Sequence, residues 1–366
     1  MRNSTFLLLW LGLVAIGIQP TKAQDFRLRL YAPGDYGSRN WRIPAIRALP
    51  DSSLLVVNDR RKYNEGDLPE DIDIVARRST DNGRTWSEPV TIVKGTGRGQ
   101  GYGDPALVTT SDGDVICAFA GGNGFFASTE ANPIRTFIAR SHDSGQTWSI
   151  PEDITALIWG SKALNPACRI YEGGFCASGN GLLLTRGPHA GRILFATALC
   201  RNHQEVDNYV LYSDDQGHTW QVSQLAYRGG DEAKMVELSD GRILLSVRQN
   251  GARGHNISED GGATWGTQGT WPEMTTNACN GDLISTTRGN QEILLHSITN
   301  SMKRENVSIF VSYDLGKSWT TPRTLCRGKS VYSSLTLLPD STIGAYIEEN
   351  TPNGCELWYI NLPFDW

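Results

Sequence analysis

Five short motifs concentrate the residues able to do chemistry. In chain order they are Arg42-Ile43-Pro44, then Asp59-Arg60-Arg61, then Asp231-Glu232-Ala233-Lys234-Met235-Val236-Glu237-Leu238 with Leu245-Ser246-Val247-Arg248 behind it, then Arg304-Glu305-Asn306, and Tyr332-Ser333-Ser334-Leu335. Arginine stays charged at any working pH, and its planar fork grips a carboxylate through two hydrogen bonds. Arg42, Arg248 and Arg304 brought to one point would clamp a carboxylate-bearing molecule. A tyrosine phenol, with a pKa of about 10, is a poor nucleophile unless a base beside it takes its proton. Glu232 or Glu237 could serve Tyr332 in that way. Between Arg61 and Asp73, the carboxylates Glu65, Asp67, Glu70, Asp71 and Asp73 could each carry a proton to or from a reacting group. Taken singly, each of these is more often an exposed or ion-paired side chain, so their convergence has to come from the fold.

The elements that would bring them together follow from an internal repeat. Ser79-Thr80-Asp81-Asn82-Gly83-Arg84-Thr85-Trp86 recurs as Ser-x-Asp-x-Gly-x-(Thr/Ser)-Trp starting at Ser141, Ser213, Ser258 and Ser312. Asp in the third place bonds nearby amides, Gly in the fifth accepts positive φ, and the closing Trp can pin the turn to a sheet. Strand-like runs precede the boxes, among them Ile72 to Ala76, Thr136 to Ala139, Tyr209 to Tyr212 and Ser308 to Val311. The spacing averages about 58 residues, close to a four-stranded propeller blade with generous loops. The expectation is an all-β, six-bladed β-propeller, closed by pairing Phe26–Tyr31 with strands near Leu357 to Asn361. The aspartates of the boxes are expected to form turns. Arginines in three separate units could converge only near the central axis.

Composition narrows the partners. The chain has 366 residues, a net charge of −5, 39% hydrophobic content and 11 Trp. That acidic balance argues against general nucleic-acid binding, and the apolar content against a disordered chain. Residues 1–23, with Arg2 ahead of the apolar run Phe6 to Ile18 and Ala23 at the end, read as a signal peptide, leaving 24–366 as one domain. An exported, periplasmic or secreted location is expected. No segment reads as a membrane span. Seven scattered cysteines show no metal-ligand spacing; most are expected to be buried, with Cys168 and Cys176 as a pair that could bridge a loop. No metal or cofactor is expected.

The ordered combination of these motifs with five Asp-boxes resembles the bacterial exo-α-sialidases (neuraminidases), over essentially the whole chain after residue 23. The resemblance implies retaining hydrolysis of terminal α-linked sialic acid from glycoproteins, gangliosides and sialyl-oligosaccharides. It implies that Arg42, Arg248 and Arg304 bind the sugar's carboxylate and that Glu348, with Glu349 as its competitor, orients Arg42. A carboxylate nucleophile would be repelled by this anionic substrate, and sialidases use tyrosine instead. Tyr332 matches that nucleophile and Glu232 its activating acid, Glu237 being the alternative. Asp67 matches the acid/base, with Asp71 as runner-up. Arg61 and Asp104 match positions lining the pocket, Arg60 competing with Arg61. Phe125, Phe126 and Trp159 are candidates for the wall facing an N-acetyl methyl. Transfer of sialic acid to another hydroxyl, and carbohydrate binding without catalysis, are the competing readings; a lectin would need only the arginines.

Overall fold

Runs such as Leu54–Val57 and Leu294–Leu295 are rich in Leu, Ile and Val and fully buried, as strands covered on both faces should be. The structure, a computed structural model, describes residues 25–320 and 322–363; the expected leader at residues 1–23 lies outside them. Six sheets, antiparallel apart from the short Gly179–Asn180 strand that pairs in parallel with Tyr102–Thr109, form the blades of a β-propeller. Blade I holds Asn40–Ala48, Leu54–Arg61, Ile72–Ser79 and Val90–Val93, and blade II runs from Tyr102–Thr109 through Val115–Gly122 and Ile134–Ser141 to Glu152–Asp153. Blade III is built on Gly173–Cys176, Ile193–Arg201 and Glu205–Ser213, blade IV on Ala233–Glu237, Ile243–Val247, Asn250–Ser258 and Gly269–Asn277. Blade V starts at Asp282–Arg288 and blade VI holds Ser330–Leu337, Ile343–Thr351 and Gly354–Leu362. The fourth strand of blade VI is Phe26–Tyr31, paired Phe26 to Asn361 and Tyr31 to Leu357, which closes the ring as the sequence predicts.

Each box joins the third strand of its blade to the fourth, on the rim. In the first box Ser79 Oγ donates to Asp81 Oδ1 (2.8 Å) and accepts from the Gly83 amide (2.9 Å). Asp81 accepts from the Thr85 amide (2.8 Å) and hydroxyl (2.6 Å), and the other four boxes repeat the set. The aspartates are turn formers. The box glycines have φ of +82° to +87° and lie against the preceding blade: Gly83 on Tyr359, Gly145 on Leu55, Gly217 on Ile116, Gly262 on Leu194, Gly316 on Leu244. Blade VI has no such turn among the described residues, because its third strand, Gly354–Leu362, and its fourth, Phe26–Tyr31, are far apart in sequence.

At the axis the inner strands of neighbouring blades touch. A polar knot ties them: Asp282 Oδ2 of blade V accepts from Asn180 Nδ2 (2.8 Å) and from Ser334 Oγ of blade VI (2.9 Å). Ser334 Oγ in turn accepts from the Ile46 amide of blade I (3.2 Å). All seven cysteines are buried and free. Cys168 and Cys176 do not pair: one lies on a 3-10 turn, Pro166–Ile170, the other ends a strand, and both pack as small apolar groups in one core cluster.

Candidate active site

Three inner strands break register at corresponding places, between Arg42 and Ala45 in blade I, Gly103 and Ala106 in blade II, and Ser330 and Ser333 in blade VI. A bulge re-aims the side chain at its edge, and it frees a position from the hydrogen-bond ladder where proline can sit. That accounts for Pro44 and Pro105. The backbone pays in strain at Ile43, whose φ of +61° is a left-handed value that a β-branched residue rarely adopts, whereas Asp104, at φ +59°, is of a type that tolerates it. The bulges put Arg42, Asp104 and Tyr332 at one mouth of the axis, in a cleft of about 400 Å³ that Asp67, Glu232, Arg248 and Arg304 also line.

Glu348, fully buried on the second strand of blade VI, braces the first arginine. Its Oε1 accepts from Arg42 Nε (3.0 Å) and the Ile43 amide (2.7 Å), its Oε2 from Arg42 Nη2 (3.0 Å) and the Tyr332 amide (3.1 Å). One carboxylate thus sets both an arginine fork and the backbone of the tyrosine. Glu349 points elsewhere and pairs with Arg27. The guanidinium carbons of Arg42, Arg248 and Arg304 lie 5.3, 6.0 and 6.0 Å from the Tyr332 ring centre.

Tyr332 Oη donates to Glu232 Oε2 at 2.7 Å and accepts from Arg248 Nη1 at 2.7 Å. Arg248 Nη1 also pairs with Glu232, whose other oxygen accepts from Asn280 Nδ2 (3.0 Å) and Ser178 Oγ (3.1 Å). Burial raises the Tyr332 phenol well above its ordinary value, and Glu232 raises it further against the pull of Arg248 and Arg42, so the phenol is a proton donor at rest. Burial also opposes the charge on Glu232, but Arg248 and Lys234, with the hydrogen bond from Tyr332, hold its carboxyl below the usual range. This is a neutral phenol against an ionised base. Glu237 is committed at another place, accepting from the Thr185 amide (2.9 Å) and hydroxyl (2.6 Å).

Asp67 stands on the loop between the second and third strands of blade I, with 71% of its side chain exposed, and pairs with buried Arg61 at 2.5 Å. Partial desolvation beside the cleft opposes its charge, but Arg61, Arg42 and Arg304 outweigh that and hold it below the ordinary carboxylate range. Arg61 lies beneath Asp67 and is fixed by Asp59 Oδ2 (3.0 Å) and the Glu65 carbonyl (2.7 Å); it does not line the cleft. Asp71 is tied to Lys62 (2.7 Å) at the loop's base, and Arg60 pairs with Asp73 (3.7 Å) outside the cleft. Asp104 is raised well above the usual range by burial and by the charges of Asp59, Glu232 and Asp67.

Phe125 and Phe126 line the cleft, together with Phe175, Ile134 and Leu68. Trp159 does not: it is buried beside a separate cleft near Glu130 and Lys162. Sequence reasoning overlooked Phe175, Asp59 beneath Arg61, Asp231 beside Arg248, and the pair Ser178 and Asn280 on Glu232. Asp59 and Asp231 had a signal, since they open the motifs that carry Arg61 and Glu232. Ser178 and Asn280 had none, because they meet Glu232 only through the ring.

Known proteins resemble this chain in sequence and in fold. The chain is 33% identical to the sialidase of Micromonospora viridifaciens, over 91% of this chain and 53% of that one. It is 28% identical to the sialidase of Bacteroides fragilis, over 87% of this chain and 61% of that one. It therefore spans between about half and three fifths of the length of these relatives. The solved structure of Hadza microbial sialidase Hz136 superposes with a TM-score of 0.81 at 26% identity, covering 92% of this chain and 68% of that one. The family model described as a BNR repeat-like domain matches residues 63–345, a span that holds all five boxes, and by that match the chain belongs to the BNR-repeat propellers whose relatives by sequence and by fold are sialidases.

Proposed function

We propose that the protein is an exo-α-sialidase that releases terminal α-linked sialic acid from glycoconjugates with retention, through a covalent tyrosyl intermediate. The observation that carries this reading is the Tyr332–Glu232 contact of 2.7 Å inside a ring of three arginines. A carboxylate held by Arg42, Arg248 and Arg304 would set the anomeric carbon over the Tyr332 hydroxyl. Glu232 takes the phenol's proton as Oη attacks, the bond to the leaving sugar breaks, and Asp67 protonates the departing oxygen. In the second half Asp67 draws a proton from water, which attacks the anomeric carbon, and Tyr332 leaves as the phenol with its proton returned from Glu232.

Asp67 is ionised in the free site, yet the first step needs it protonated. The substrate supplies the correction: its carboxylate offsets the charge of Arg42 and Arg304, two of the cations that hold Asp67 down. Sialylated glycoproteins, gangliosides and oligosaccharides are the substrates this reading implies, and residues 1–23 are the support for an exported location. The test is incubation with α2,3-, α2,6- and α2,8-linked sialosides, followed by a fluorinated sialosyl donor and peptide mapping. Free sialic acid and a label on Tyr332 are expected; an anhydro or transferred product would change the reaction class, and a label on Glu232 or Asp67 would overturn the nucleophile.

A further inference from the structure

Lys234 lies two residues beyond Glu232, on the inner strand of blade IV that begins at Ala233, and its Nζ abuts Gly179, next to Ser178, whose hydroxyl donates to Glu232 Oε1 at 3.1 Å. It is 1% exposed, and among the described residues its Nζ has no hydrogen-bond partner. An ammonium removed from water without such partners is costly, so something other than stability accounts for it. Its surroundings are built to hold it. Gly179 has φ +103°, and a Cβ there would stand 2.9 Å from Nζ. Ser246, opposite Lys234 on the next strand, is already engaged by Arg253 Nε (2.9 Å) and by His296 Nε2 (2.7 Å). Burial lowers the Lys234 ammonium from its ordinary value, Arg253 adds to that, and Asp282, Glu232 and Asp104 oppose it, with His296 nearby; the groups on Glu232 are Arg248, Lys234 and buried Arg253, with Tyr332, Cys279, Asp231 and Asp104 close by. The oxygens of Asp282 are already occupied, by Asn180, Ser334 and the Leu335 and Leu283 amides.

Resting on the reading of Glu232 as the base for Tyr332, we propose that Lys234 is a positioning residue whose buried ammonium keeps Glu232 a carboxylate once substrate is bound. Arg248, the strongest cation on Glu232, lines the cleft, so a bound carboxylate offsets its charge at the moment the base is needed. Lys234 is sealed from the cleft and keeps its effect in the complex. Lys234 is second only to Arg248 among the groups that lower the Glu232 carboxyl.

The experiment compares wild type, Lys234→Met and Lys234→Arg in the pH dependence of kcat and kcat/KM on an aryl sialoside. The Glu232 carboxyl is also titrated by 13C NMR, with and without a non-cleavable sialic acid analogue. Removing a positive neighbour raises a carboxyl, so Lys234→Met should move the acid limb of kcat up by about one pH unit, a roughly tenfold loss below the limb that fades as pH rises. The Glu232 titration should rise with it, most in the presence of the analogue, and Lys234→Arg should restore both. A loss equal at every pH, or an unmoved Glu232 titration, would overturn the proposal. If wild type cleaves no sialoside, the functional reading fails while the carboxyl titration still decides the role of Lys234. Should Lys234→Met not fold, Lys234→Gln, neutral and of similar length, carries the same comparison.

Discussion

Asp67 is the residue whose charge state must change most during the proposed cycle. Because its carboxyl is held low in the free site and released when Arg42 and Arg304 take up the substrate, the alkaline limb of kcat should lie above that of kcat/KM. Coincident limbs in a stopped assay across pH would contradict this. Asp67→Ala should cut turnover of a sialyl-lactose far more than that of an aryl sialoside, whose leaving group needs little protonation; equal losses would move the acid role elsewhere. Asp104 tests the electrostatics without turnover. Its folded carboxyl titrates above the unfolded one, so the folded form binds that proton more tightly and its contribution to stability is lost as pH rises. Asn cannot ionise and tolerates φ +59°. Asp104→Asn should therefore stabilise the fold more at pH 8 than at pH 5, by about 1.4 kcal/mol for each pH unit of raised titration lying between them, read from unfolding at the two pH values. A gain independent of pH would show that Asp104 is not strained by its charge.

Among the elements, the box turn is where sequence and structure agree most closely, because everything it needs lies within eight residues. A methyl group at Gly145 would stand 2.5 Å from Leu55 Cδ1, whereas Gly113, at φ +92°, has nothing within 4 Å. Gly113→Ala should cost about 1–2 kcal/mol, the left-handed penalty alone. Gly145→Ala should cost roughly 1–3 kcal/mol more from overpacking, read as the difference between two denaturant midpoints. Equal losses would mean that the turn does not wedge the blades. The same locality explains what could be read in advance. The boxes, the strand runs before them and the closure by Phe26–Tyr31 are patterns of neighbouring residues. Arg42, Arg248, Arg304, Tyr332, Glu232 and Asp67 carry family motifs. Phe175 and Asn280 have no such mark, since they reach the cleft only through the arrangement of blades. Trp159 was misplaced for the same reason: nearness to the cleft in sequence does not survive the excursion of 155–170. The burial of Arg61 beneath Asp67 was equally hidden, because strand alternation does not say which arginine of Arg60-Arg61 the loop will cover.

For the molecule as a whole, the decisive contact is the one between its first and last described strands. Tyr31, fully buried, stacks on Trp41 at 4.1 Å between ring centres, directly before the first arginine of the clamp. A chain beginning at Ala32 would lose the outer strand of blade VI and bare the edge of Gly354–Leu362, a pairing template for other chains. It should unfold at a lower temperature and scatter light at concentrations where the full chain does not; an unchanged melt would show the closure to be dispensable. The box glycines add a further consequence. Each presses on the blade before it, so five of the six seams around the ring carry a wedge and the seam between blades V and VI carries none. The molecule is topologically a circle that has been cut, and the cut has removed one copy of the repeated joint. A permuted chain in which a sixth Ser-x-Asp-x-Gly-x-Thr-Trp turn spliced Leu362 to Phe26, with new ends opened in any other box, would shift the missing joint to a seam of choice while leaving the mouth of the axis untouched.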